Sequence, residues 1–398
     1  MGGFPTSSLG GAVVCGAAAF LALAICSKPA QADTIRSQQW HLSAMRAEEM
    51  WQKSTGAGVT VAVIDTGVDS GFPDIQGQVL PGKDFSGVTG DAQSDYDGHG
   101  TDMAVLIAGT GRGNGGSGGF GLAPGVKVLP LRVLSSSAPI ERLPLGDPMA
   151  SAIRYAADSD AKVINVSMSA PTASAKQEEA VRYAISKGKL ILAGTGNRGE
   201  KGEPVGYPAA IPGVVAVAAV DQDIKATAES QRGPEVDLAA PGDNMIYTCK
   251  GGTGVCRGHG TSAATALASA SAALIWSAHP DWTANQVLRV LINTAGGPKS
   301  GEKRSDSIGY GVVRPRIALK DPGDPGPPNV SPLPELAAVS ATPAPTAGGT
   351  GTPQAAADKS DGNTKRNVLI AGIALAAVAV IGVPLLIFAT RRRTHSPR

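Results

Sequence analysis

The sequence carries almost no excess charge of either sign. Its 35 Lys and Arg stand against 33 Asp and Glu, a net charge of +2 over 398 residues, and so slight a surplus argues against a surface built for nucleic acid or any other polyanion. Cysteine is scarce. The four in the chain fall in two pairs, Cys15 with Cys26 in an apolar N-terminal run, and Cys249 with Cys256. His259 is the only further ligand near the second pair and no other Cys pair lies beside it, so a metal site there is disfavoured. No metal and no cofactor is expected. The stretch 109–121 holds eight glycines but lacks the Lys-Ser/Thr ending of a nucleotide-binding loop, and it reads as a surface connector.

What is present gathers around one stretch, Gly258-His259-Gly260-Thr261-Ser262-Ala263-Ala264. It runs into the alanine-rich segment 265–276, which has no Gly or Pro and reads as a buried helix packed through small side chains. Ser262 then falls on the first turn, where backbone N–H groups and the positive helix end suit a nucleophile whose reaction develops an oxyanion. Taken alone, a Ser/Thr cap after a glycine loop is the better reading. Two upstream stretches change the balance. Val61-Ala62-Val63-Ile64-Asp65-Thr66-Gly67 is an apolar strand that delivers a carboxylate at its C-terminal end, where parallel-sheet proteins keep their chemistry. His99, in Asp97-Gly98-His99-Gly100-Thr101, opens a second apolar helix over 103–108. Singly, Asp65 reads equally as a turn residue and His99 as a loop residue; the ordered set Asp65, His99, Ser262 is far more specific. Further apolar strands at 126–133, 161–168, 190–194 and 214–220 alternate with helical patterns at 149–157 and 177–186. With 42% hydrophobic residues to fill a core, the economical fold is α/β, a doubly wound parallel sheet with helices on both faces.

These motifs resemble the subtilisin family of serine proteases, the subtilases. VAVIDTGVD around Asp65, DGHGT around His99 and GHGTSAA around Ser262 follow that family's order, which differs from the chymotrypsin-like and α/β-hydrolase orders. The resemblance covers residues 33–320, an ordinary size for one large α/β domain. It implies a serine endopeptidase with Ser262 as nucleophile, His99 as general base and acid, and Asp65 fixing and stabilising the imidazole. In Ile191-Leu192-Ala193-Gly194-Thr195-Gly196-Asn197 the family places the side-chain amide of its oxyanion hole, a role that Asn197 inherits. Ile164-Asn165-Val166-Ser167-Met168-Ser169 resembles the strand that lines the primary specificity pocket. Ser167, Met168 and Ser169 are therefore the expected substrate contacts, although the stretch reads equally as a buried strand end. The chain departs from the family pattern at Asp102, usually a second His, and at Val105 and Ser169, usually Gly. Ala266, Leu267 and Ala270 replace the usual Pro, His and Gly after the serine. Asp102, one helical turn beyond His99, reads as an acid stabilising a helix N-terminus, or as a group that raises the His99 pKa.

The ends of the sequence supply an address. Residues 9–26 form an apolar run of signal-peptide length, and Ala30-Gln31-Ala32 fits a small-x-small site, so cleavage after Ala32 is expected, with 1–32 as signal peptide. The first eight residues contain no Lys or Arg, which keeps an uncleaved anchor as the alternative. Trp40, Leu42, Met45, Ala47 and Trp51 recur at near-helical spacing, as a lead-in packed on the domain. It leaves no room for the large folding prodomain common in secreted subtilases, and activation by removing one is not expected. In an exported chain Cys249 and Cys256, which bracket a glycine-rich hairpin before the nucleophile, are expected to form a disulfide rather than two free thiols. From 321 to 366 the composition turns to Pro, Ala, Thr and Gly, a linker with too few large apolar residues to fold. Residues 368–390 carry no charge and, at ~1.5 Å each, span a ~30 Å hydrocarbon layer. A C-terminal transmembrane helix is expected, followed by a basic cytoplasmic tail, 391–398. The protease domain would then stand outside the cell membrane on a single-pass anchor. This architecture resembles the mycosins, membrane-bound subtilases associated with type VII secretion, which implies polypeptide substrates and a secretion complex as partners. A surface-tethered degradative protease, or a protease-like scaffold for a membrane assembly, fits the same arrangement.

Overall fold

The structure, a computed structural model, describes residues 1–4, 34–133, 146–252, 254–334 and 336. The chain divides into two units, 1–343 and 344–398. The second, with the expected transmembrane helix and tail, lies outside the described residues, as does nearly all of the expected signal peptide. Among the described residues no helix is long and apolar enough to cross a membrane.

The lead-in forms three short helices, α1 (Ile35–Gln38), α2 (Trp40–Met45) and α3 (Ala47–Trp51). Its near-helical spacing does not continue as one helix because Arg46 adopts a left-handed φ of 58° between α2 and α3. Side chains then tie the segment down. Trp40 Nε1 donates to the Asn244 carbonyl at 3.0 Å, Trp51 Nε1 to the Leu122 carbonyl at 2.9 Å, and the Gln39 amide exchanges hydrogen bonds with the Phe120 backbone.

The apolar runs form β1 (Thr60–Asp65), β2 (Lys83–Asp84), β3 (Lys127–Arg132), β4 (Val163–Val166), β5 (Leu190–Gly194), β6 (Val215–Val220) and β7 (Val236–Pro241). Among the described residues these make one sheet in the order β2-β3-β1-β4-β5-β6-β7, every neighbouring pair parallel. Continuous burial along β4 to β7 is what a sheet covered on both faces requires. On one face Val61 and Val63 pack with α4 (His99–Ala108), α8 (Thr261–Ala278), α9 (Ala284–Asn293) and α10 (Pro315–Lys320); on the other, Ala62 and Ile64 pack with α6 (Pro148–Asp158) and α7 (Ala175–Ser186). The doubly wound α/β expectation therefore holds. Strand order reverses at β1, and such a reversal opens a crevice beyond the carboxyl ends of the strands. Asp65 is the last residue of β1.

Outside the sheet, β8 (Met245–Thr248) and β9 (Val255–Gly258) form an antiparallel hairpin closed by a Cys249–Cys256 disulfide. The opening of the proline-rich segment lies along α9. Arg289 donates to the carbonyls of Pro325 and Val330, Gln286 donates to that of Gly326, and Leu333 is buried.

The glycine loop after α4, with its four-residue turn α5 (Gly113–Gly116), is pinned from within. Asp74 is fully buried and accepts the N–H groups of Gly113 at 2.7 Å and Gly119 at 2.8 Å, and the Thr248 hydroxyl. A β-carbon on Gly118 would stand 1.9 Å from Asp74 Oδ1, so glycine is demanded there by packing. Replacing Asp74 with Ala strands the Gly113 N–H and the Thr248 hydroxyl and leaves the Gly119 N–H only its 3.0 Å bond to Thr248 Oγ1, and unfolding in urea should show a loss of at least about 2 kcal/mol. An unchanged midpoint would mean the loop holds itself.

Candidate active site

Asp65 and His99 meet where β1 ends and α4 begins. Asp65 is buried, its Oδ1 lies 2.7 Å from His99 Nδ1, and the same oxygen accepts the Thr66 N–H at 2.8 Å. The glycines flanking His99 have separate reasons. Gly98 caps α4 with a left-handed φ of 96°. Gly100 rides so close to the exit of β1 that a β-carbon would stand 2.0 Å from the Gly67 carbonyl oxygen.

A second carboxylate, missed in the sequence, braces this pair. Asp95 Oδ1 accepts the Thr66 hydroxyl at 3.0 Å and the Gly98 N–H at 2.8 Å, while Oδ2 accepts the N–H and hydroxyl of Thr101 at 2.8 and 2.6 Å. One side chain thus ties the exit of β1 to the first turn of α4. Its only sequence signal was an acid just before a helix start, which many loop acids share.

The charge on Asp65 is the main cause that lifts the His99 pKa to about 9; burial opposes it, and Asp102 and Asp95 add to it. Burial pushes the Asp102 carboxyl up to about 7, with Asp95 and Asp65 repelling its charge and His99 and the Tyr247 hydroxyl favouring it. Asp102 stands in the first turn of α4 and adds to the rise of His99, the second of the two readings made of it, whereas burial works against the charge that the first requires.

Ser262 sits in the first turn of α8, after Gly260 at φ 125°. Its hydroxyl donates to the Ser167 carbonyl at 3.0 Å, and the Ser167 hydroxyl donates back to the Ser262 carbonyl at 3.1 Å. Below them Asn165 Nδ2 donates to Ser167 Oγ at 2.9 Å and Ser269 Oγ to Asn165 Oδ1 at 3.0 Å. This buried polar ladder fixes the start of α8 against the end of β4. Hydrogen bonds thus join Asp65 to His99 and Ser262 to Ser167, two pieces rather than one line from carboxylate to hydroxyl.

Asn197 follows β5, and its Oδ1 accepts the N–H of Thr261 at 2.8 Å and the Thr261 hydroxyl at 3.0 Å. With its oxygen committed, the amide keeps two N–H donors for a ligand oxygen. Ser262, Asn197, Ser167, Met168 and Ser169 line one cleft of about 800 Å³. The disulfide hairpin leans on the histidine loop, since Lys250 Nζ donates to the Tyr96 carbonyl. Among the described residues no group of three His, Cys, Asp or Glu stands together as a metal site.

The model of the Subtilase family matches residues 56–311, well over half of the chain. The chain belongs to the subtilase family. It is 37% identical to subtilisin E of Bacillus subtilis (strain 168) over 246 residues, which cover 61% of this chain and 62% of that protein. It thus spans less than two thirds of that relative's length. Among solved subtilase structures, MycP1 from Mycobacterium smegmatis is similar with a TM-score of 0.62 at 28% identity, over 75% of this chain and 88% of that one. MycP3, a protease from the type VII (ESX-3) secretion system, is similar with a TM-score of 0.60 at 34% identity, over 70% of this chain and 87% of that one.

Proposed function

We propose that the chain is a serine endopeptidase that hydrolyses peptide bonds through an acyl-enzyme, with Asp65, His99 and Ser262 as its triad. The observation that carries this reading is the Asp65–His99 hydrogen bond of 2.7 Å at the carboxyl edge of the sheet. His99 Nδ1 is committed to Asp65, which leaves Nε2 to take the proton as Ser262 Oγ attacks the peptide carbonyl and to return it to the leaving amine. Water then attacks the acyl-enzyme by the same proton route and frees Ser262. The developing oxyanion accepts from Asn197 Nδ2 and the Ser262 N–H. For attack, the Ser262 hydroxyl exchanges its bond to the Ser167 carbonyl for one to His99. Substrate backbone pairs with 167–169 by strand addition.

The address is part of the same proposal. Residues 1–32 act as a signal peptide, 33–320 as the peptidase domain, 321–366 as the linker, 368–390 as the membrane helix and 391–398 as the cytoplasmic tail. Peptidase activity is then tethered at the outer face of the cell membrane. Likeness to MycP3, a protease from the type VII (ESX-3) secretion system, favours processing of exported polypeptides or support of a secretion complex.

A fluorophosphonate probe should label the wild type and fail to label Ser262→Ala. A wild type that resists the probe overturns the peptidase reading. Secretion that survives Ser262→Ala but fails on deletion of the whole chain would favour a scaffold over a processing enzyme.

A further inference from the structure

We infer that the primary specificity pocket is short and floored by polar side chains, so that the residue on the acyl side of the scissile bond (P1) is Gly, Ala or Ser rather than a large one. This rests on the peptidase reading and names the substrate class of that site.

The pocket is a slot between two backbone walls. One wall is the continuation of β4 to Ala170, and the other is the end of β5 to Gly196. The segment Gly206-Tyr207 joins them across the far end, with the Gly206 N–H on the Thr195 carbonyl at 2.9 Å and Tyr207 and Ala170 exchanging backbone hydrogen bonds at 2.8 and 2.9 Å. Glycine at 196 and at 206 would leave this slot open to a large side chain. Two neighbouring side chains take up the space beside those glycines instead.

Ser169 Oγ lies 2.0 Å from the point where a β-carbon on Gly206 would stand and 3.0 Å from the corresponding point on Gly196. Gln231 Oε1 lies 1.7 Å from that same Gly196 point. The Gln231 side chain is held there by its Nε2, which donates to the Pro204 carbonyl, and the residue is only 5% exposed. Both side chains line the cleft that contains Ser262 and Asn197. An aromatic or long aliphatic P1 group would have to displace Ser169 Oγ or strip water from two oxygens that it cannot pair. Each such loss weakens kcat/KM by about ten- to a hundredfold. A methyl or hydroxymethyl group stops short of the floor, and serine can pair with Ser169.

The test compares wild type, Ser169→Gly and Ser169→Ala, each titrated with a fluorophosphonate probe, on peptides that differ only at P1 as Gly, Ala, Ser, Leu, Phe or Lys. Wild type should prefer Ala over Phe by at least about tenfold in kcat/KM. Ser169→Gly should narrow that ratio by about tenfold, chiefly through faster cleavage after Phe, with Ser169→Ala between the two. Labelled wild type that prefers Phe, Leu or Lys, or variants with an unchanged ratio, overturns the inference and leaves the peptidase reading standing. Wild type that does not label overturns both.

Discussion

Asp65→Asn should lower kcat by about 10⁴-fold while substrate affinity and the fold survive. The carboxylate accepts from His99 Nδ1 at 2.7 Å from a buried position, and so, in the neutral ring, puts the one proton on Nδ1 and leaves Nε2 able to receive the serine proton. An asparagine amide of the same shape can donate to Nδ1, which moves the ring proton to Nε2 and leaves nothing to accept from Ser262. The variant also loses the charge that does most to hold the His99 pKa up at about 9. Because His99 must be neutral to act as base, wild-type kcat/KM should climb with pH toward a limb near 9, and the variant's residual activity should reach its plateau at lower pH. The sign for stability is opposite. A histidine raised from 6.5 to about 9 on folding contributes stability that is fully present below 6.5 and is lost as pH rises through 9. Urea midpoints should therefore fall between pH 6 and pH 10 more for wild type than for Asp65→Asn. Residual kcat within about tenfold of wild type would remove Asp65 from the mechanism.

The parts of this site that were legible in the sequence are those whose chemistry dictates a residue type inside a short motif. Asp65 ends an apolar run, His99 sits between two glycines, and Ser262 opens an alanine-rich helix. Each could be placed on an element before any partner was known. The strands were legible because a sheet covered on both faces needs unbroken apolar runs. The run at 161–168 overshoots β4 at both ends, since Ala161 and Ser167 are buried but lie outside the ladder. β7 went unread because Asp237 interrupts its apolar pattern; that carboxylate accepts the Ala216 N–H at 3.0 Å, a partner twenty-one residues away. Asp74 and Asp95 were illegible for the same reason. Each is a buried or half-buried carboxylate defined by donors from distant segments, and neither local charge nor periodicity marks such a residue. The glycine loop read as a connector because its glycines suggest freedom, whereas several are there so that backbone can reach Asp74.

Asn197→Ala should slow turnover by roughly 10²–10³ in kcat, a magnitude set by the corresponding loss in subtilisin, with KM nearly unchanged. The split between the two constants follows from what the amide meets. A ground-state carbonyl draws little from an extra donor, whereas the oxyanion of the tetrahedral intermediate carries a full charge, so the interaction grows on the way to the transition state. Thr261 makes the geometry specific. By donating twice to Asn197 Oδ1 it forbids the flipped amide, in which an oxygen would face the oxyanion. The cost to the fold is small. The stranded Thr261 N–H belongs to the first turn of α8, where helix N–H groups have no partner within the helix, and the loss should be about 1 kcal/mol. Asn197→Asp separates positioning from donation, because it preserves the acceptor for Thr261 but offers no donor and brings a negative charge to the oxyanion site. It should be as stable as wild type and at least as slow as the alanine variant. If the aspartate variant turns over faster than the alanine one, the amide's role lies in holding Thr261 and the start of α8, and the oxyanion must find its donors elsewhere.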